Sequence, residues 1–274
     1  MKLLLLALVL TTLTFNTVLS AAEYHLLQGQ VLHLQSAQQW REVECFGKKW
    51  TLRANKATGS EAWIGIDLET KVGEYMITLL NETGETNHET LYVEAADFPQ
   101  SYITVAKKMA DFDQTLLQRI RSDQKILKAS YVKTVDANPI IHFSRMPVEG
   151  PISTEFGARR HINDTPRSPH SGLDIAASAG DQVYLPLAGS VLVNRSMYLN
   201  GNTVVIGHGN GLVSVFCHLQ DSNVQEGQWI KTGDLIGHVG STGRSTGPHL
   251  HWSVRYHNAR IHPLSILDTP LPAQ

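Results

Sequence analysis

Cysteine is nearly absent from these 274 residues: Cys45 and Cys217 are the only two. An exported chain could oxidise them, but one pair this far apart reads as two buried thiols rather than a disulfide framework. With so little thiolate available, a closed Cys-type zinc site is excluded too. Charge of one sign is also scarce in excess. Lys and Arg number 23 against 25 Asp and Glu, a formal net charge of −2, so no global basic field points to nucleic acid. No His-Glu-x-x-His stretch occurs, which excludes a glutamate base carried on a zincin helix. Beyond the N-terminus, no run approaches the ~20 apolar residues a spanning helix needs.

The one long apolar run is at the start. Lys2 precedes "LLLLALVL", Thr11, Thr12, Thr14 and Asn16 break the run, and Ser20, Ala21 and Ala22 close it. That layout predicts a cleaved secretory signal peptide over 1–22. No cysteine follows the cleavage region, which argues against a lipid-anchored lipoprotein. About 250 residues remain, room for two domains.

From 23 to 98 the chain reads as short strands separated by turn residues, and Ala62, Ile64, Ile66 and Leu68 alternate onto one face. The expectation is an immunoglobulin-like β-sandwich, with the Tyr of "KVGEY" held at a strand corner. Residues 99–145 read as a helix and linker. Val105, Met109, Phe112, Leu116, Ile120 and Leu127 recur at helical spacing. The stretch 146–267 is again short strands broken by glycine, the pattern of a compact antiparallel β domain. The fold class is therefore mainly β, with one amphipathic helix between two β domains.

The third segment holds the chemistry. "HSGLD" places His170 and Asp174 four apart, and in a strand even spacing puts both on one face, with Gly172 between them. "FCHL" supplies His218, and "TGRSTGPHLHW" supplies His249 and His251 on one side of a strand. Two histidines and one carboxylate make a three-ligand zinc set with a fourth position open for water, the arrangement of catalytic zinc. Spacing leaves open which of His249 and His251 is the ligand. His208 and His238, beside glycines, read as turn residues. His161 and Arg159 lie in "RRHINDTPRSP", a loop expected to border the groove.

In order and approximate spacing, "HSGLD", "FCHL" and "STGPHLHW" resemble the signature of the lysostaphin-type (LytM-type) zinc metallopeptidases. "FGARRH" and "VQEGQWIKTGDLIGHVG" look like that family as well. The likeness runs from about 150 to 265, and more loosely through the preceding β block and helix, which resemble the accessory region of Gram-negative envelope members. It implies one Zn²⁺ per chain on His170, Asp174 and His251, with His218 and His249 on the water and substrate side as catalytic residues. Arg159, His161 and Phe216 are the candidate substrate contacts. Phe216 stands where family members often carry Tyr, so a hydroxyl is missing there.

The resemblance implies an exported zinc endopeptidase hydrolysing the peptide cross-links of peptidoglycan in the periplasm. Gram-negative bridges are direct D-alanyl–meso-diaminopimelate links, so D,D-endopeptidase activity is expected, with peptidoglycan stems as partner. The alternative is a silent family member that binds and activates a cell-wall amidase, but such members usually lack ligands, and here all five positions are filled. A load-bearing wall needs restraint on its hydrolases. The 23–98 domain and the helix are therefore expected to cover the groove.

Overall fold

A computed structural model describes residues 22–55, 59–105 and 112–267. The expected signal peptide lies outside them, except for Ala22. So do the first turns of the expected helix, with Met109. No described helix is long and apolar enough to cross a membrane.

The N-terminal block forms two sheets. One has five strands and includes Gly73–Leu80 paired with Thr86–Glu94; the other has three, centred on Gly59–Gly65. Alternation drives their packing: Ile77, Leu79, Leu91 and Val93 from the first meet Leu32, Leu34, Ala62 and Ile64 from the second, all buried. The Tyr75 hydroxyl donates to the Lys71 carbonyl at 2.7 Å, a bond consistent with a tyrosine held at a strand corner. Cys45 and Cys217 are buried and unpaired in separate cores.

The C-terminal block is a ten-stranded sheet. Its centre runs Gly172–Ala176, His249–Tyr256, Leu212–Ser222, Gly201–Gly209 and Gly189–Met197, each antiparallel to the next. One face, with Ile175, Leu250, Trp252, Phe216 and Val204, packs into the main core. The other carries Val193, Val205, Val213, Val215 and Cys217 against Leu127 of the helix Gln114–Ser130. Asp113 starts that helix, its Oδ1 accepting the Leu116 N–H at 2.8 Å, an ordinary N-cap.

The two blocks are joined tightly. Trp63 and Leu68 of the first belong to the main core of the second. Arg260 donates from Nε to Asp67 Oδ2 at 3.0 Å and from Nη2 to Glu69 at 2.6 Å. The linker is also tied down: Gln100–Ile103 pairs in parallel with Arg159–Ile162. Residues before Met146 complete the C-terminal core, because Ile141 and Phe143 are fully buried in it.

Two histidines sit differently from expectation. His208 lies in a strand, not a turn, and is fully buried: Nδ1 donates to the Ala188 carbonyl at 3.0 Å and Nε2 meets Ser214 Oγ at 2.8 Å. Its flanking glycines serve close packing, since a Cβ at Gly207 would strike Val135 and Leu192. His238 is likewise in a strand, paired with Asp221 at 2.7 Å.

Candidate metal centre and peptidase groove

Asp174 and His251 are opposite one another on neighbouring antiparallel strands, and Ala176 faces His249 two residues along. Strand alternation then sorts the side chains. Leu250 and Trp252 go into the core, and His249 and His251 go to the other face. That face is the one on which the helix packs.

His170 reaches the same point from just before its strand. Its backbone is pinned to the "FGA" segment, with Gly157 N–H donating to the His170 carbonyl and His170 N–H to the Ala158 carbonyl, at 2.7 and 2.9 Å. Its Nδ1 donates to the Glu155 carbonyl at 2.8 Å. With that proton committed, Nε2 presents a lone pair. It lies 3.0 Å from Asp174 Oδ1 and 2.9 Å from His251 Nδ1, and His251 Nδ1 is 2.8 Å from the same carboxylate oxygen. Arg160 Nη2 holds the other oxygen, Oδ2, at 3.1 Å.

His218 arrives by a backbone irregularity. Between Phe216 and Leu219 the strand carries one more residue than its partner does between Val204 and Asn202, a β-bulge, and His218 adopts φ 62. Bulges re-aim side chains beside active sites. Here the ring turns to Thr242, whose carbonyl accepts from Nδ1 at 2.8 Å. Thr242 is itself clamped: its hydroxyl donates to the Leu219 carbonyl at 2.7 Å and accepts the Asn202 N–H at 2.9 Å. The glycine-rich turn makes this possible, because Gly243 (φ 72) lies against Gly201, where a Cβ would meet backbone nitrogen at 2.3 Å. His249 is held similarly, Nδ1 donating to the Gly247 carbonyl at 2.9 Å. The His218 and His249 rings are 4.7 Å apart.

Burial sets the charge states. It pushes the His170 imidazole down to about 4 and, with His251 nearby, the His218 imidazole down to about 3. Burial alone raises the Asp174 carboxyl, but the His170 and His251 imidazoles beside it outweigh that and hold the group well below the usual carboxylate range. The result is a neutral His170 imidazole and an ionised Asp174 oxygen meeting beside the His251 ring. Such a donor set fits a divalent cation, and these three residues form a metal-compatible cluster among the described residues.

A groove of about 800 Å³ opens over this point. Asp174, His218, His249 and His251 line it, together with Ile103, Val105 and Phe112 of the linker and Leu117, Ile120 and Gln124 of the helix. No described residue of 23–98 does, so among the described residues the wall facing the site comes from the linker and helix. The three expected substrate contacts lie elsewhere. Arg159 stacks over Phe98 and His161 over Tyr102, on the side of their strand turned away from the groove. Phe216 is fully buried in the main core. Arg160, between Arg159 and His161, is the residue that faces the groove.

The fold thus carries a His–Asp–His cluster assembled around facing strands, not on a helix. Comparison with known proteins gives the family. Residues 168–263 match Peptidase family M23. A solved structure from Pseudomonas aeruginosa described as a peptidase M23 superposes with TM-score 0.70 and 30% identity, covering 88% of this chain and 94% of that one. The chain belongs to the M23 family. Among curated relatives, DD-carboxypeptidase/endopeptidase Mpg of Neisseria meningitidis is 41% identical over 43% of this chain and 28% of its own length. Peptidoglycan DD-endopeptidase ShyA of Vibrio cholerae is 42% identical over 47% of this chain and 30% of its own. The matched region thus spans less than a third of each of those relatives.

Proposed function

We propose that this protein is an exported, zinc-dependent endopeptidase that cuts the peptide cross-links of peptidoglycan in the periplasm, with D-alanyl–meso-diaminopimelate bonds as its substrate. The observation that carries the reading is the convergence of His170 Nε2, Asp174 Oδ1 and His251 Nδ1, each within 3.0 Å of the others, at the floor of a groove open to a peptide. The names of the Mpg and ShyA relatives support the substrate class.

His170, Asp174 and His251 would hold the metal. When bound, zinc supplies Lewis acidity and a lowered water pKa. Arg160 orients Asp174 by occupying its outer oxygen. His218 and His249, each with Nδ1 committed to a backbone carbonyl, present Nε2 to the groove. They position water and pass a proton from it to the leaving amine. General acid–base groups of this kind contribute about 10²–10⁴-fold.

Mass analysis of muropeptides released from purified murein by the zinc-loaded protein tests the reading. Conversion of cross-linked dimers to monomers with a new free amine is expected. Release of whole stem peptides only when an amidase is added would overturn it in favour of an activator.

A further inference from the structure

Thr242, at the head of the glycine-rich turn, is not among the residues lining the groove, yet three of its hydrogen bonds meet at the bulge that carries His218. Around that bulge the register pairs Val204 with Phe216 and then Asn202 with Leu219, so Cys217 and His218 together oppose Thr203. A non-glycine residue at φ 62 persists only where its surroundings over-determine it, and a bulge locally disrupts the ladder that would do so. Here the Thr242 hydroxyl stands in the ladder itself. It accepts the Asn202 N–H at 2.9 Å and donates to the Leu219 carbonyl at 2.7 Å, bridging the two residues that the register sets opposite one another. Gly201, at φ 66, makes the room, since a Cβ there would come within 2.3 Å of that hydroxyl oxygen. The carbonyl of the same threonine accepts His218 Nδ1 at 2.8 Å, and the His218 N–H donates to the Asn200 carbonyl at 2.8 Å.

Resting on the peptidase reading above, we propose that Thr242 is a positioning residue for His218. Its hydroxyl holds the bulge in place, and its carbonyl fixes the ring with Nδ1 protonated and Nε2 toward the groove. Thr242 acts through His218 and stands outside the metal cluster. A hydroxyl is needed because it accepts and donates at once. Valine has nearly the same shape and does neither; serine does both. Without the bridge, the Asn202 N–H and the Leu219 carbonyl lose this partner and the strand relaxes toward regular pairing. Alternation then turns His218 away from the groove.

The test compares zinc-loaded wild type, Thr242→Val and Thr242→Ser by zinc content, by kcat and KM on cross-linked muropeptide dimers, and by nitrogen NMR of the His218 ring, assigned with His218→Ala. Thr242→Val should keep its zinc and its KM while kcat falls by about tenfold or more, part of the 10²–10⁴-fold that a placed acid–base group contributes. Its His218 ring nitrogens should move from the pattern of a single Nδ1–H tautomer toward an average of two. Thr242→Ser should restore both kcat and the ring shifts. In the wild type itself the Thr242 hydroxyl proton should exchange slowly and give a cross-peak to the Asn202 amide, a reading that stands even where the valine variant does not fold. A freely exchanging hydroxyl would overturn the proposal. So would unchanged His218 ring shifts in Thr242→Val, or a loss of kcat that serine leaves unrepaired. No turnover by the wild type, with the ring shifts still following the hydroxyl, would instead count against the peptidase reading and leave the positioning of His218 standing.

Discussion

Asp174 and His251 are register partners across two antiparallel strands, and the carboxylate oxygen of one lies 2.8 Å from Nδ1 of the other. That register depends on Gly172, two residues before Asp174. A Cβ there would come within 2.4 Å of the Trp252 carbonyl oxygen and 2.7 Å of Ser253 Cβ. Gly172→Ala is therefore expected to push the strands apart, cost about 1–3 kcal/mol, and weaken metal binding. Urea unfolding and zinc titration of the variant check it; wild-type values in both would contradict it.

Arg160 touches the metal centre through Asp174. Its removal leaves Oδ2 without the partner it has at 3.1 Å, so the carboxylate loses its fixed orientation. Arg160→Ala is expected to weaken zinc affinity by about 10–100-fold, the usual effect of losing a ligand's outer partner. Competition with a chromophoric chelator measures this directly.

His208 gives the fold a pH dependence separate from the site. Burial pushes its imidazole down to about 4, against an ordinary 6.5. Below 6.5 the unfolded chain takes up a proton that the folded chain refuses, so stability is lost as pH falls from about 6.5 through 4. By the conversion of 1.36 kcal/mol per pKa unit the loss reaches about 3 kcal/mol. His208→Gln should flatten the slope of unfolding free energy over that window, measured by denaturation at pH 7, 6, 5 and 4.

The groove wall formed by Leu117, Ile120 and Gln124 bears on restraint. A chain begun at Asn138 removes the helix and keeps Ile141 and Phe143 in the core; one begun at Met146 would strip both. The shorter chain should digest purified murein several-fold faster than the full one if the helix and linker limit access. Equal rates would show that the groove is already open.

Much of the fold and site is legible in the sequence, for reasons that can be named. Period-two alternation places His249 with His251, because a strand offers only two faces; the even spacing of His170 and Asp174 points the same way, although His170 lies just before its strand and is placed by Gly157 and Ala158. The helix is legible from its apolar spacing around Ile120 and Leu127. Hidden from the sequence are features that depend on a single extra residue or on which face meets which neighbour. By strict alternation His218 would share Phe216's buried side; the bulge turns it into the groove, and no residue type announces a bulge. Arg160 is hidden for the same reason, since the strand carrying Arg159, Arg160 and His161 gives no sign of which side faces the site. His208 resembles a turn residue because glycine usually signals backbone freedom, whereas here Gly207 lets Val135 and Leu192 come close.

The central claim is that His170, Asp174 and His251 hold a metal that His218 serves without binding. Elemental analysis of purified wild type, Asp174→Asn and His218→Ala, paired with murein digestion, tests it most directly. Expected are one zinc per chain in wild type and in His218→Ala, none in Asp174→Asn, and digestion by the wild type alone. Zinc retained in Asp174→Asn, or full digestion by His218→Ala, would contradict it.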